Sequence, residues 1–219
     1  SVPVPVAQPE TGLADKRTLP DFSSISHVPT LKRMFYEYLH PMVLAENARI
    51  DAQRLRLESL RQRHERGDSL VAAQHTWLAQ LADEYRLTVA SASPTAEILT
   101  GILRQLMHRV DIVPPDLALA QAAIESGWGR SRFARLGNNI YGEWCFVPGC
   151  GIVPRDRKPG ARHEIADFDA PAGSIRSYMH NLNTHDAYEE WRAMRGHQRL
   201  DGASLGGHEL AAGLTAYSE

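Results

Sequence analysis

Hydrophobic positions recur at helical spacing over most of the chain. They lose that rhythm in an N-terminal arm and in one stretch beyond the middle. Residues 1–29 are rich in Pro, Ser and Thr with no sustained apolar period, which predicts an extended or poorly ordered arm. From Thr30 the pattern turns helical, with Leu31, Met34, Phe35, Tyr38 and Leu39 on one face. Pro41 is expected to kink or restart that helix, because proline removes one backbone bond and crowds the preceding turn. A second helical stretch carries Val43, Leu44, Ile50, Leu55, Leu57 and Leu60 opposite a charged face of Glu46, Arg49, Asp51, Arg54, Arg56, Glu58 and Arg61. Gly67-Asp68-Ser69 should stop it and cap the next helix, 69–86, with Leu70, Val71, Trp77, Leu78, Leu81 and Tyr85 inward.

Ser93-Pro94-Thr95 predicts a further helix to about His108. Pro114-Pro115-Asp116 opens the next, an almost wholly apolar one that runs into Glu125. A short helix is expected over 130–136, ended by Gly137. Residues 138–170 are dense in Gly, Pro and aromatics. There, 152–154 and 164–168 read as short strands of a small β-lobe. Helix returns over 171–183, 186–194 and from Ser204 to the end. The predicted fold is mainly α: an α+β body with one irregular β-lobe, and no internal repeat.

Composition narrows the classes. The chain has 219 residues, 43% hydrophobic and 23% charged, ordinary for a globular protein with a real core. A net charge of −2 argues against a nucleic-acid binder held by phosphate contacts. No apolar run reaches the ~18 residues of a membrane span. The sequence begins at Ser1 without Met, so we expect an export signal or anchor to be missing from it. Cys145 and Cys150 flank a Pro-Gly turn that can bring their sulfurs together. A disulfide is therefore expected over two free thiols, and with it an oxidising compartment such as the periplasm.

The chemistry narrows by elimination. His208-Glu209 starts like a zinc-protease helix, but Ala212 stands where a second ligand is needed. His180 and His185 are poorly spaced, and no second ligand pair joins the cysteines, so no metal or other cofactor is expected. Ser126 sits in Glu-Ser-Gly and not in a nucleophile elbow. The glycines at 202–207 lack the Lys-Ser/Thr of a phosphate loop. What remains is a carboxylate among aromatics, a pattern suited to glycan cleavage, where a protonated acid must meet the leaving oxygen. Glu125 closes an apolar helix, where the dipole's negative end and desolvation both favour the neutral acid. A plain helix-end Glu reaching solvent is the alternative that these residues leave open. Tyr141, Trp144, Phe146 and Trp128 offer flat faces for sugar rings. For Trp128 core packing is the simpler reading; for Tyr141 and Trp144 groove lining is.

Ala122-Ala123-Ile124-Glu125-Ser126-Gly127-Trp128-Gly129, followed by Asn138-Asn139-Ile140-Tyr141-Gly142, resembles the β-N-acetylglucosaminidase domain of glycoside hydrolase family 73, within the lysozyme superfamily. The stretches 174–178 and 183–188 resemble that family's later helix pair, which ends in a tyrosine. Phe35 to Val43 and Glu46 to Ile50 resemble the helical extension of its bacterial Bax-type members. The resemblance implies three regions: the arm 1–29, a helical region 30–94, and a lysozyme-like catalytic domain 95–219 with its β-lobe near 138–170. It implies Glu125 as general acid and Tyr188 in the catalytic groove. It implies a second carboxylate from the lobe, Glu143 or Glu164, with Asp156, Asp167 and Asp169 behind them. Substrate contacts are expected from Tyr141, Trp144, Asn139 and Trp128. Such domains often continue beyond a point like Tyr217, so a truncated or disordered tail is expected.

The implied activity is hydrolysis of the β-1,4 bond after N-acetylglucosamine in peptidoglycan, in the periplasm or cell envelope. Either a lobe carboxylate activates water, or the substrate's 2-acetamido group attacks with the ion pair held by Tyr188. A non-catalytic peptidoglycan-binding or scaffolding protein is one alternative; a lytic transglycosylase or muramidase on the same fold is another. The N-terminal helices would dock a partner or cover the groove.

Overall fold

A computed structural model describes residues 18–89, 94–155, 157, 160–202 and 205–217. The start of the predicted arm, Ser93 and Ser204 at two predicted helix starts, Asp156 and the last two residues lie outside these. Helices are α1 (Val28–Glu65), α2 (Ala72–Glu84), α3 (Ala96–Arg109), α4 (Pro115–Glu125), α5 (Arg132–Gly137), α6 (Pro171–Thr184), α7 (Glu189–Leu200) and α8 (Gly207–Ala211). Three short strands, β1 (Trp144–Cys145), β2 (Gly151–Ile152) and β3 (Glu164–Ala166), form an antiparallel sheet in the order β1-β3-β2. The fold is mainly α with a small β-lobe, lysozyme-like, as the periodicity and the family resemblance predict.

Helix α1 is the spine, and it corrects one expectation. It runs unbroken for 38 residues through Pro41. The proline lies on the exposed side, where water can satisfy the carbonyl it orphans. Meanwhile Leu39, Met42 and Val43 on the inner face are buried, so tertiary packing outweighs the local penalty. α1 packs on α3, α4 and α6. One buried cluster extends from Phe22 and Leu31 through Leu103, Ala118 and Tyr178 to Leu210 and Leu214. Glu46 ties α1 to α6, accepting from Arg49 and Arg176 at 2.8 and 3.0 Å.

Two boundaries also differ. α2 starts at Ala72, three residues later than expected. Neither Asp68 nor Ser69 caps it; instead the Gln74 side chain reaches back to the Val71 N–H at 2.9 Å. α5 is closed by Asn138, at φ 49°, and not by Gly137. The disulfide Cys145–Cys150 is present, and it links the end of β1 to the residue before β2. Gly151 faces β3 so closely that a Cβ would overlap the Ile165 carbonyl oxygen, so only glycine fits in this register.

Candidate active site

The turn after α4 is built from the motif that stands out in the sequence. Ser126 is fully buried; its hydroxyl donates to the Ala122 carbonyl at 2.6 Å and accepts from the Gly129 N–H at 2.7 Å. Gly127, Trp128 and Gly129 all have positive φ, at 55°, 61° and 74°. A Cβ on Gly129 would come within 2.5 Å of the Phe22 ring. The helix therefore stops sharply, and Glu125 stands at its last position, exposed into the space beyond. Trp128 packs edge-to-face on Phe35 and Tyr36 of α1, which locks this turn to the spine and keeps Trp128 away from the groove.

That space is a groove of about 510 Å³ lined by Glu125, Tyr141, Gly142, Glu143, Trp144 and Tyr188, together with Arg86, Ser177, His180 and Asn181. Though exposed at the groove, the Glu125 carboxyl is partly desolvated by the surrounding protein, which raises it above its ordinary value. Burial also pushes Glu143 up to about 7, against one opposing bond from the Ser177 hydroxyl at 3.0 Å. The second oxygen of Glu143, Oε2, is sealed from solvent and has no hydrogen-bond partner among the described residues. Tyr188 is buried at the N-terminal end of α7; burial and the nearby Glu143 charge raise its phenol. Two carboxyl groups whose pKa values are raised by burial thus share one groove, a setting suited to proton transfer.

The other expected site residues separate. Glu164 is buried in the lobe; its carboxylate accepts from the Gly149 and Gly151 N–H groups at 3.2 and 3.0 Å, and those bonds hold it below its ordinary value. It braces the disulfide turn and does not line the groove. With Cys145 and Cys150 it forms a cluster of metal-ligand type, but the two sulfurs are spent on each other. Asp167 and Asp169 are exposed outside the groove. Asn139 is 1% exposed and wholly occupied with backbone: its amide donates to the Glu143 and Ala166 carbonyls at 2.8 Å each and accepts from the Glu143 N–H at 2.9 Å. It positions Glu143 instead of touching a ligand. Tyr141 is also buried, stacked on Tyr178 at 3.9 Å with its hydroxyl donating to the Ala118 carbonyl. It forms the floor of the groove. Trp144 is 58% exposed, stacked on His163 at 4.5 Å, and lines the groove. Phe146 is exposed at the tip of the disulfide turn, outside the groove.

Four lining residues were not singled out from sequence as groove residues. Ser177 and Asn181 stand one helical turn apart on α6, an i,i+4 spacing that marks a common face and could have flagged them. His180 reaches the Glu84 carbonyl at 2.6 Å, and Arg86 follows α2.

With this groove on a lysozyme-like fold, the chain matches over residues 101–212 the family described as mannosyl-glycoprotein endo-beta-N-acetylglucosaminidase, and it belongs to that family. Membership implies a glycan hydrolase. Its sequence is also similar to Protein bax of Escherichia coli (strain K12), at 29% identity over 205 residues, 94% of this chain and 70% of the relative. No solved structure matches the chain. Among the described residues no helix is long and apolar enough to cross a membrane.

Proposed function

We propose that the protein is an endo-β-N-acetylglucosaminidase of the cell envelope, cleaving the β-1,4 bond after N-acetylglucosamine in peptidoglycan. The observation that carries this reading is the placement of Glu125 and Glu143 in one groove, both drawn toward the neutral acid by burial. Glu125, open to the groove at the helix end, donates the proton to the leaving oxygen. Glu143 is the second carboxyl group, with an affinity for protons matched to neutral pH, where a general base is most effective. Trp144 carries a sugar ring and Tyr188 closes the groove beside the reacting carbon. The disulfide fits an oxidising compartment, so the periplasm is the proposed location.

The sealed Oε2 atom of Glu143 favours a second reading, in which the substrate's acetamido oxygen attacks first with the ion pair held by Tyr188. The stereochemistry of the product separates the two. Water activated by Glu143 gives the inverted anomer, and acetamido attack retains configuration. Digestion of purified sacculi followed by mass spectrometry tests the activity itself. We expect reducing-end N-acetylglucosamine. Anhydro-muramyl ends would make the protein a lytic transglycosylase, reducing-end muramic acid a muramidase, and binding without soluble fragments a scaffold.

Glu143 also predicts a stability signature. Its native pKa of about 7 lies above the ordinary 4.5, so the fold holds the proton more tightly than the unfolded chain. Its stabilising effect is complete below pH 4.5 and is lost as pH rises through about 7. Glu143→Gln keeps the neutral shape at every pH. Denaturant titrations should therefore find the variant more stable than the parent at pH 8, by up to about 3 kcal/mol, and nearly equal to it at acid pH. An equal difference at both pH values would place the effect in packing and not in charge.

A further inference from the structure

Arg86 is the one cation at this groove supplied by the helical region before residue 95, among the described residues. Its backbone sits at φ 55°, a left-handed conformation that glycine or asparagine adopts with less strain. It is the left-handed residue that closes α2: its N–H bonds the Asp83 carbonyl at 3.0 Å and the Leu87 N–H bonds the Ala82 carbonyl at 2.7 Å. Side chains brace the same turn. His180 of α6 bonds the Glu84 carbonyl at 2.6 Å, and Arg109 of α3 bonds those of Tyr85 and Arg86 at 2.8 and 3.3 Å. Tyr85 is buried beneath. The neighbouring Glu84 carboxylate is engaged by Arg49 and Gln53 at 2.9 Å each. The fold thus holds an exposed arginine on a well-anchored turn lining a groove whose acidic groups are Glu125 and Glu143.

We propose that Arg86 is a specificity-determining residue that binds a carboxylate projecting from the sugar next to the cleaved bond, and so selects anionic glycans over neutral ones. The inference rests on the reading of the groove as a peptidoglycan site. A planar guanidinium suits a carboxylate, and in peptidoglycan that group is either the lactyl carboxylate of a peptide-free muramic residue or a carboxylate of its peptide stem. The two share one chemistry and differ in reach.

The experiment compares three substrates: neutral chitooligosaccharide, peptide-free glycan strands with the lactyl group free, and peptide-bearing strands. Its readout is the ratio of kcat/KM on each anionic substrate to that on the neutral one, in the parent, Arg86→Gly and Arg86→Lys. Glycine suits the left-handed residue that ends a helix, so loss of folding does not confuse the result; the melting temperature of Arg86→Gly should not fall. The ratio should drop about tenfold in Arg86→Gly, the loss of one charge-assisted bond, and recover in large part in Arg86→Lys. A drop confined to peptide-free strands assigns the lactyl carboxylate, and a drop confined to peptide-bearing strands assigns the stem. An unchanged ratio in Arg86→Gly overturns the proposal. If the parent cleaves none of the three, the hydrolase reading fails by itself, and the same ratio taken from dissociation constants then decides the role of Arg86.

Discussion

Glu125→Gln should lower turnover on purified sacculi by about 10³-fold, the scale of a lost general acid, while leaving the fold intact. The amide keeps the carboxyl's shape and removes only the transferable proton. Glu125 is exposed and forms no ion pair or hydrogen bond among the described residues, so exchange for glutamine should shift stability by less than about 0.5 kcal/mol. The turn beneath it is held by Ser126, Gly129 and Trp128 and needs nothing from the carboxylate. The pH dependence adds a second check. Burial raises the Glu125 pKa above 4.5, and the acid works only when protonated. Parent activity should therefore fall as pH rises through that raised value, and the limb should be missing from the residual activity of the variant. Turnover within a few-fold of the parent in Glu125→Gln would remove the central assignment, whatever the product analysis shows.

How far a sequence reveals a site depends on whether local or distant neighbours decide each role. The end of α4 was legible because its signals are local: Pro114-Pro115 at one end, Ser-Gly-Trp-Gly at the other, and a single carboxylate between an apolar run and those glycines. Choosing between Glu143 and Glu164 was not. The carboxylate of Glu164 is consumed by two N–H groups 15 and 13 residues earlier, a pairing that exists only once β3 lies between β1 and β2. Asn139 and Tyr141 stand in a motif that looks like ligand chemistry, yet their polar atoms turn inward, to the backbone at Glu143 and to Ala118. Asn139 braces the Glu143 backbone, and Tyr141 floors the groove with its hydroxyl turned inward. Pro41 misled for the opposite reason. Its local rule is sound, but the price falls on the solvent side of a helix held by its inner face. The groove's Arg86 was invisible because no periodic or motif signal links the end of α2 to a site built some forty residues later.

Asp111→Ala should unfold the protein far more easily. Asp111 lies in the segment between α3 and α4 and is 3% exposed. Arg199 grips it with two bonds at 2.7 and 3.1 Å, and Arg54 and Arg195 approach at 3.4 and 3.9 Å. Arg195, itself 1% exposed, also donates to the Asp111 and Ile112 carbonyls and to Asn183. From the other side, Asn47 of α1 exchanges two bonds with Val113. The segment that launches α4, and so aims Glu125, is thereby bolted to α1, α6 and α7. Burial alone would raise the Asp111 pKa; the Arg199 bond and the Arg195 and Arg54 charges outweigh it and hold the group below 3.8. Removing the carboxylate leaves Arg195 buried without its counter-charge, and burial already depresses that guanidinium to about 10. Breaking one side of a buried pair costs about 3–5 kcal/mol, which for a chain of this size lowers the melting temperature by roughly 10 °C. The sign with pH is fixed. A carboxylate whose native pKa is depressed contributes fully above its unfolded value of 3.8 and loses that contribution as pH falls through the lower native value. The gap between parent and Asp111→Ala should therefore be widest at neutral pH and shrink in strong acid. A variant that melts with the parent at pH 7 would show that the three arginines find other partners or water, and that α4 is aimed by apolar packing alone.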